Sequence, residues 1–447
     1  MILNKDVFKN YDIRGIYGEE LTENEIIMTA KAYFFKLKPQ KIAIGYDARV
    51  SSEKICDLFS QTLENLGVEV DILGLIPTGM LYGISNLGKY DGGIMITASH
   101  NPKEYNGIKM IGVKDNIVIS GKEIYEITKQ IEKIDLNSLS NKNNKGIINK
   151  KDSFDLYIDH CFSKVKKEEI NEISIAIDAS SGTFGKIIEK ISNKIPQVKI
   201  TKLNFVPDGN FPKHGPNPLE EGSCDALSKT IIENNLDAGF IFDGDGDRIF
   251  LLDEKGKRIE GGLTLLLIAK EILESKKDAG IVYNWAPKAV PELIEKWGGR
   301  ALRSKVGYIN IKDIMLNNNG DMGGEYSCHY CFLENFYSDS GLLALLKILK
   351  TISNSDKKIS EQIKELGAGF TIQDNIKVDN VEESISKIKN IYNTEKFDEL
   401  DGLTVYLEDF WFGIRGSSTE PLLRIYLEAE NEETACLKLN EIKNLLK

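Results

Sequence analysis

The run Asp243-Gly244-Asp245-Gly246-Asp247-Arg248 places three carboxylates at alternate positions with glycines between them. Held together, they repel each other unless a cation neutralises them. Hard carboxylate oxygens suit Mg²⁺ or Ca²⁺. An EF-hand loop competes for this pattern, because Asp243, Asp245, Asp247 and Glu254 match its acidic ligand positions. That loop needs a glycine where Arg248 stands, and helices where Ile241-Phe242 and Ile249-Phe250-Leu251-Leu252 read as strands. A Mg²⁺ loop fits better. A second reactive stretch is Thr97-Ala98-Ser99-His100-Asn101-Pro102, preceded by the apolar run Gly92-Gly93-Ile94-Met95-Ile96. Pro102 blocks regular structure and pushes Asn101 toward extended backbone. A serine hydroxyl at such a strand end can act as a nucleophile or phosphoryl carrier, or it can simply make a turn.

Two further stretches read as binding chemistry. Arg415-Gly416-Ser417-Ser418-Thr419-Glu420-Pro421-Leu422-Leu423-Arg424 sets two guanidinium groups around hydroxyls and loop amides, a good phosphate cradle. Its competitor is a polar β-turn. Gly324-Glu325-Tyr326-Ser327-Cys328-His329 alternates Glu, Ser and His, which share one face if the segment is extended. Such a row can hold sugar hydroxyls or form the polar face of an edge strand. Arg14-Gly15 suits close approach of backbone to a ligand, although a lone arginine also suits a surface ion pair. Cys328-His329-Tyr330-Cys331 has redox or half-zinc spacing, but no second pair completes a zinc site.

The elements that must position these residues follow from pattern. At 447 residues the chain needs roughly three or four domains. With 41% hydrophobic and 28% charged residues it has globular composition. The net charge of -11 argues against nucleic-acid binding. No run approaches the roughly 18 apolar residues of a membrane helix. The start lacks a signal-peptide core, so a cytoplasmic location is expected. Strands are expected at 41–47, 68–76, 91–97, 174–178, 199–205 and 237–242. A helix capped by Ser51-Ser52 is expected to run to about Leu66, and further helices are expected over 121–134, 154–165, 225–235, 263–273 and 340–352. Residues 137–151 are rich in Asn, Lys and Ser and read as a linker. Alternation of this kind means α/β units with mainly parallel sheets, and residues 370–447 change to a small α+β pattern.

These motifs, in this order, resemble the α-D-phosphohexomutase family, in its phosphomannomutase/phosphoglucomutase branch. Thr97 to Pro102 is similar to the family's phosphoserine loop, Asp243 to Arg248 to its Mg²⁺ loop, Gly324 to His329 to its sugar loop, and Arg415 to Pro421 to its phosphate loop. The resemblance covers nearly the whole chain. It implies three consecutive α/β domains with mixed, mainly parallel sheets plus a smaller C-terminal α+β domain, around a central cleft. The corresponding segments are 1–150, 151–255, 256–368 and 369–447.

It also implies a reaction, the reversible transfer of phosphate between O1 and O6 of a mannose or glucose phosphate. A phosphorylated Ser99 and a hexose 1,6-bisphosphate intermediate carry it, with Mg²⁺ held by Asp243, Asp245, Asp247 and the Ser99 phosphate. Lys109, Arg14 and His329 are implied for proton transfer or charge stabilisation, and His100 and Arg248 for steadying the phosphoserine. Lys305, Glu325 and Ser327 would bind the sugar phosphate. Arg415, Ser417, Ser418, Thr419 and Arg424 would anchor its distal phosphate. Partners are then small hexose phosphates, with neither nucleic acid nor membrane, and the oligomeric state is open. This chain departs from the family at Tyr308, where a histidine is common, at Cys328, where glycine is common, and near Trp285, where a basic residue is common and Lys288 is the nearest. The sister activity, phosphoglucosamine mutase, fits Glu325-Tyr326-Ser327 less well, since that branch tends to carry Gln in the middle. A non-catalytic protein binding divalent cations or sugar phosphates is the reading from another class.

Overall fold

The computed structural model describes residues 3–131, 145–416 and 422–446. The chain forms two compact units, one of Met1–Ile259 with His329–Ile359, the other of Glu260–Cys328 with Ser360–Lys447.

The first unit holds two sheets. In one, strands follow the order Ile13–Ile16, Tyr105–Gly112, Gly92–Ile96, Lys41–Tyr46, Glu69–Leu75, Ile148–Lys150, with Ile117–Ile119 added to the end of Tyr105–Gly112. Gly92–Ile96, Lys41–Tyr46, Glu69–Leu75 and Ile148–Lys150 run parallel, whereas Tyr105–Gly112 is antiparallel to its neighbours. Parallel strands covered by helices on both faces must be apolar throughout. Gly92–Ile96 meets this, being buried at every residue. The second sheet has the order Ile249–Leu252, Ala238–Phe242, Ile173–Asp178, Val198–Leu203. Ala238–Phe242 is again buried along its whole length. Trimming Ile94 or Ile241 to alanine would cost about 2–5 kcal/mol through the cavity left behind.

Thus two strands buried along their whole length lead directly into Thr97–Pro102 and Asp243–Arg248. The unit is completed by the hairpin Tyr330–Phe332 with Ser338–Asp339 and by helix Gly341–Ser353. Ser340 caps that helix, its Oγ accepting from the Leu343 N–H at 3.1 Å.

In the second unit Arg300–Arg303, Gly280–Tyr283 and Gly320–Gly324 are parallel, with helices Gly261–Ser275, Ala289–Lys296 and Tyr308–Asn317. A separate antiparallel sheet follows the order Phe370–Lys377, Leu422–Ala429, Phe410–Gly416, Leu403–Tyr406, Lys396–Asp398. It packs helices Val381–Ile391 and Glu432–Leu446 around Leu403, Phe412, Ile425 and Leu427. The α/β and α+β pattern expected from sequence is therefore present. Among the described residues no helix is long and apolar enough to cross a membrane.

Three local expectations need correction. Ile148–Lys150, inside the segment read as a linker, is a strand paired with Glu69–Leu75, while 132–144 lie outside the described residues. Ser51 stands at the N-cap of helix Ser52–Asn65 but makes no side-chain cap, and the Ser52 hydroxyl donates to Asp47 Oδ1 instead. Glu325 to His329 is not an extended row. Strand Gly320–Gly324 ends before it, and Cys328 takes a left-handed φ of 66°. That turn breaks the two-residue alternation on which a shared face depends.

Candidate active site

Ser99 lies at the end of Gly92–Ile96 with a left-handed φ of 52°, unusual for a residue with a Cβ. Its N–H donates to Thr97 Oγ1 at 2.8 Å, and Thr97 Oγ1 donates to Asp47 Oδ2 at 2.7 Å. Its hydroxyl donates to Asp243 Oδ2 at 2.9 Å and lies 3.3 Å from His100 Nδ1. Burial, together with the nearby Arg248 and Arg14, holds His100 well below the usual histidine range, so it stays neutral. Arg14 reaches the same loop, donating through Nη1 to Asn101 Oδ1 at 2.6 Å and to the Ala98 carbonyl at 3.2 Å. Its Nε donates to Asp12 at 2.8 Å.

Asp243, Asp245 and Asp247 follow strand Ala238–Phe242 and are all buried. Gly246, at φ 67°, gives the turn that brings them together. A Cβ on Gly244 would stand 3.0 Å from the Ser99 carbonyl, so glycine lets the two loops close on each other. One oxygen from each of the three carboxylates lies within 4.8 Å of the others. Lys109 Nζ donates to Asp245 Oδ2 at 2.9 Å and Asp247 Oδ2 at 2.5 Å, and Thr78 Oγ1 donates to Asp245 Oδ2 at 2.6 Å. Asp245 Oδ1 and Asp247 Oδ1 are buried without a hydrogen-bond partner.

Burial, and then repulsion from Asp247 and Asp245, push the Asp243 carboxyl well above its usual range. For Asp247 burial acts in the same sense, but Lys109, with Arg248, outweighs it and holds the carboxylate charged. Burial would also lower the Lys109 ammonium, yet Asp245 and Asp247 raise it above its ordinary value. Orphaned carboxylate oxygens and an all-oxygen donor set fit a hard divalent cation such as Mg²⁺. The flanks of the loop are the antiparallel strands Ala238–Phe242 and Ile249–Leu252, which removes the EF-hand alternative.

Arg248 and His329 join this group from further along the chain. Arg248 Nε donates to His329 Nε2 at 2.9 Å, and His329 Nδ1 lies 3.2 Å from Asp339 Oδ2. Thus Ser99, His100, Arg14, Lys109, Arg248, His329 and the three aspartates are brought together within the first unit. Sequence reading missed Thr78 and Asp339, which touch the same cluster. The Asp standing just before the apolar run 341–352 was the available sequence hint for the latter.

In the second unit Glu325 is buried and closely held. Its Oε1 accepts from Asn284 Nδ2 at 2.9 Å and from the Gly307 N–H at 2.6 Å. Ser327 Oγ donates to its Oε2 at 3.3 Å. Asn284, another residue missed from sequence, also accepts the Tyr326 N–H at 3.2 Å. Lys305 is exposed on the neighbouring turn. Arg415 and Arg424 stand opposite each other on paired strands. Like charges placed this way are unfavourable by themselves and favourable around an anion. The Arg415 guanidinium also lies 5.8 Å from the Trp285 ring centroid. Ser417, Ser418 and Thr419 fall outside the described residues. All six cysteines are free thiols, with Cys328 and Cys331 both buried.

Comparison with known proteins places this geometry in context. Four models describing successive domains of phosphoglucomutase/phosphomannomutase match: three α/β/α domains at residues 5–138, 155–256 and 260–369, and the C-terminal domain at residues 373–441. A phosphomannomutase of Methanocaldococcus jannaschii is 38% identical, with 98% of this chain and 97% of that protein covered. A phosphomannomutase of Escherichia coli K12 is 31% identical, with 95% of each covered. The crystal structure of a phosphoglucomutase/phosphomannomutase family protein from Burkholderia thailandensis superposes with a TM-score of 0.88 at 24% identity, covering 100% of this chain and 98% of that one.

Proposed function

The chain belongs to the phosphoglucomutase/phosphomannomutase family, and from that premise we propose that Ser99 carries the phosphoryl group its reaction moves. It is a hexose-phosphate mutase, an isomerase. The observation that supports the choice of Ser99 is its hydroxyl, hydrogen-bonded at 2.9 Å to the first of three buried aspartates.

In the proposed cycle a sugar hydroxyl attacks the phosphorus of phosphorylated Ser99. A new P–O bond to the sugar forms as the P–Oγ bond breaks, and the hydroxyl proton passes through a base on the protein to the departing Ser99 Oγ. The product is a hexose 1,6-bisphosphate. After it turns end over end, Ser99 Oγ takes back the other phosphoryl group by the same step in reverse, so phosphate has moved between O1 and O6. Bound Mg²⁺ would neutralise charge on the moving phosphoryl group, with Asp243, Asp245, Asp247 and the Ser99 phosphate as its ligands.

Lys109, held protonated between two aspartates, is a charge stabiliser and a poor base. His329, whose ring is oriented on both nitrogens, is the base for the sugar proton. Neutral His100, its Nδ1 3.3 Å from Ser99 Oγ, steadies the phosphoserine. Arg14 and Arg248 steady the phosphoserine loop. Glu325 and Ser327 receive sugar hydroxyls, and Lys305 with Arg415, Ser417, Ser418, Thr419 and Arg424 binds phosphate, remote binding that orients the reacting end. Labour is divided among residues 1–150, 151–255, 256–368 and 369–447 in that order. The substrates are mannose or glucose phosphates.

Coupled assays with mannose 1-phosphate, glucose 1-phosphate and glucosamine 1-phosphate, run with and without Mg²⁺, test the reading. Isomerisation of the first two is expected, together with one phosphoryl group on the intact protein that Ser99→Ala removes. Preferential use of glucosamine 1-phosphate would move the chain to the sister activity. A protein of unphosphorylated mass that turns over none of the three would make it a binding protein.

A further inference from the structure

We propose that Arg49 is the positioning residue of the phosphoryl-carrying serine, a clamp that sets the direction of Ser99 Oγ without touching the substrate. The proposal rests on the reading of Ser99 given above.

Arg49 follows strand Lys41–Tyr46, and its side chain is 0% exposed. A guanidinium group has five N–H donors and no acceptor, so burial requires five acceptors. All five are present, and four of them are backbone carbonyls of one loop. Nη2 donates to the carbonyls of Ser99 at 2.8 Å and Asn101 at 2.7 Å. Nη1 donates to those of Pro102 at 2.6 Å and Tyr105 at 3.0 Å. Nε donates to Asp47 Oδ2 at 3.0 Å. The Phe211 ring covers the guanidinium at 5.3 Å, and Gly209 packs so closely on this turn that a Cβ there would lie 2.5 Å from the Ala48 carbonyl.

Asp47 extends the clamp to the other side of the serine. Its Oδ2 also accepts Thr97 Oγ1, which accepts the Ser99 N–H. Both backbone polar groups of Ser99 are therefore tied to one buried ion pair, its carbonyl through Arg49 and its N–H through Thr97 and Asp47. Pinning both peptide groups holds the residue at its φ of 52° against the usual preference for negative values. On this fixed backbone Oγ faces Asp243, donating to its Oδ2 at 2.9 Å. A lysine would keep the charge but lose the planar fork, since one ammonium cannot satisfy four divergent carbonyls.

The test compares Arg49→Lys with the parent by steady-state kinetics and by backbone hydrogen exchange over residues 98–106. A misplacement of about 1 Å costs on the order of 10²-fold in rate. Arg49→Lys should therefore lower kcat about 10²-fold, leave KM within about threefold, and speed exchange in the loop. Adding guanidinium at non-denaturing concentration to Arg49→Ala should restore part of kcat. A folded Arg49→Lys with parental kcat and parental exchange overturns the clamp. So does a loss confined to KM, and so does failure of both variants to fold, which would assign Arg49 to the fold alone. Exchange is read whether or not the parent turns over a hexose phosphate. An inert parent whose loop still loosens on substitution would sink the mutase reading and leave the clamp standing.

Discussion

Arg248 donates through Nε to Nε2 of His329 at 2.9 Å. An arginine cannot accept, so Nε2 carries the lone pair and the ring proton of a neutral His329 is on Nδ1, facing Asp339 at 3.2 Å. In the base role proposed for it, His329 would need Arg248 to release Nε2 before the imidazole could take a proton from a sugar hydroxyl. The pair would then keep the proposed base masked until Arg248 finds another acceptor, and a phosphate is the natural one.

Asp339→Asn should disturb this arrangement without emptying the space. An amide can offer its N–H to Nδ1 and favour the wrong tautomer. By analogy with the buried aspartate of the serine-protease triad, kcat should fall by about 10² to 10⁴-fold. KM should change little. A variant retaining more than about a tenth of parental kcat would remove Asp339 from the mechanism.

Asp245→Asn removes one of three carboxylate charges while its neutral oxygen can still accept from Thr78 Oγ1. Mg²⁺ affinity measured by titration calorimetry should weaken at least tenfold, about 1.4 kcal/mol. Lys109 loses one of two anionic partners in the same variant. Unchanged affinity would mean that the ion binds elsewhere.

Arg415→Ala separates binding from chemistry. The two arginines face each other on paired strands, and charge-assisted bonds to phosphate contribute about 1.5–3 kcal/mol. Substrate KM should rise tenfold or more while kcat changes by less than about threefold. A loss concentrated in kcat would place Arg415 beside the reacting phosphate instead of the distal one.

Glu260 gives a pH-dependent test of stability in the second unit. Burial pushes its carboxyl up from 4.5 to about 7, despite hydrogen bonds from Leu263, Gly262 and Tyr426. The folded protein keeps this proton through that window while the unfolded chain releases it, so the group costs stability as pH rises from 4.5 to about 7. Above that the cost is constant, on the order of 3 kcal/mol at 1.36 kcal/mol per tenfold. Glu260→Gln should match the parent near pH 4.5 and be the more stable protein at pH 8. Parallel melting curves of the two at both pH values check this. Equal midpoints at pH 8 would show that the carboxylate is not penalised.

Much of this was legible in the residues themselves. Gly92–Ile96 and Ala238–Phe242 announce themselves as buried strands because they are short, apolar and followed by turn-forming residues. The aspartate triplet shows because its charges are adjacent in sequence. Partners that arrive from far away leave no local pattern: the family resemblance alone points to Lys109, and nothing points to Thr78. Lys109 meets Asp245 across 136 positions, and Thr78 meets it across 167. Glu325 to His329 misleads in the opposite way. Polar residues at alternate positions imitate a strand, but Cys328 turns the backbone left-handed, and Glu325 bonds to Asn284 and Gly307 within its own unit. Ile148–Lys150 escapes because an edge strand needs few apolar residues, and this one packs only a half-buried Ile148 on the core.

The first unit is assembled from two separated lengths of chain, ending at Ile259 and resuming at His329. Helix Gly341–Ser353 belongs to the second length, and its leucines 342, 343, 345, 346 and 349 are buried. Ser340 Oγ lies 2.6 Å from the Tyr157 hydroxyl, and Asn335 Nδ2 donates to the Gly79 carbonyl at 3.2 Å. On the ribosome, the nascent N-terminal half must therefore wait with an open apolar face while Glu260–Cys328 is translated. A product released at Ile259 would be a substrate for chaperones and proteases, not a free-standing folded unit.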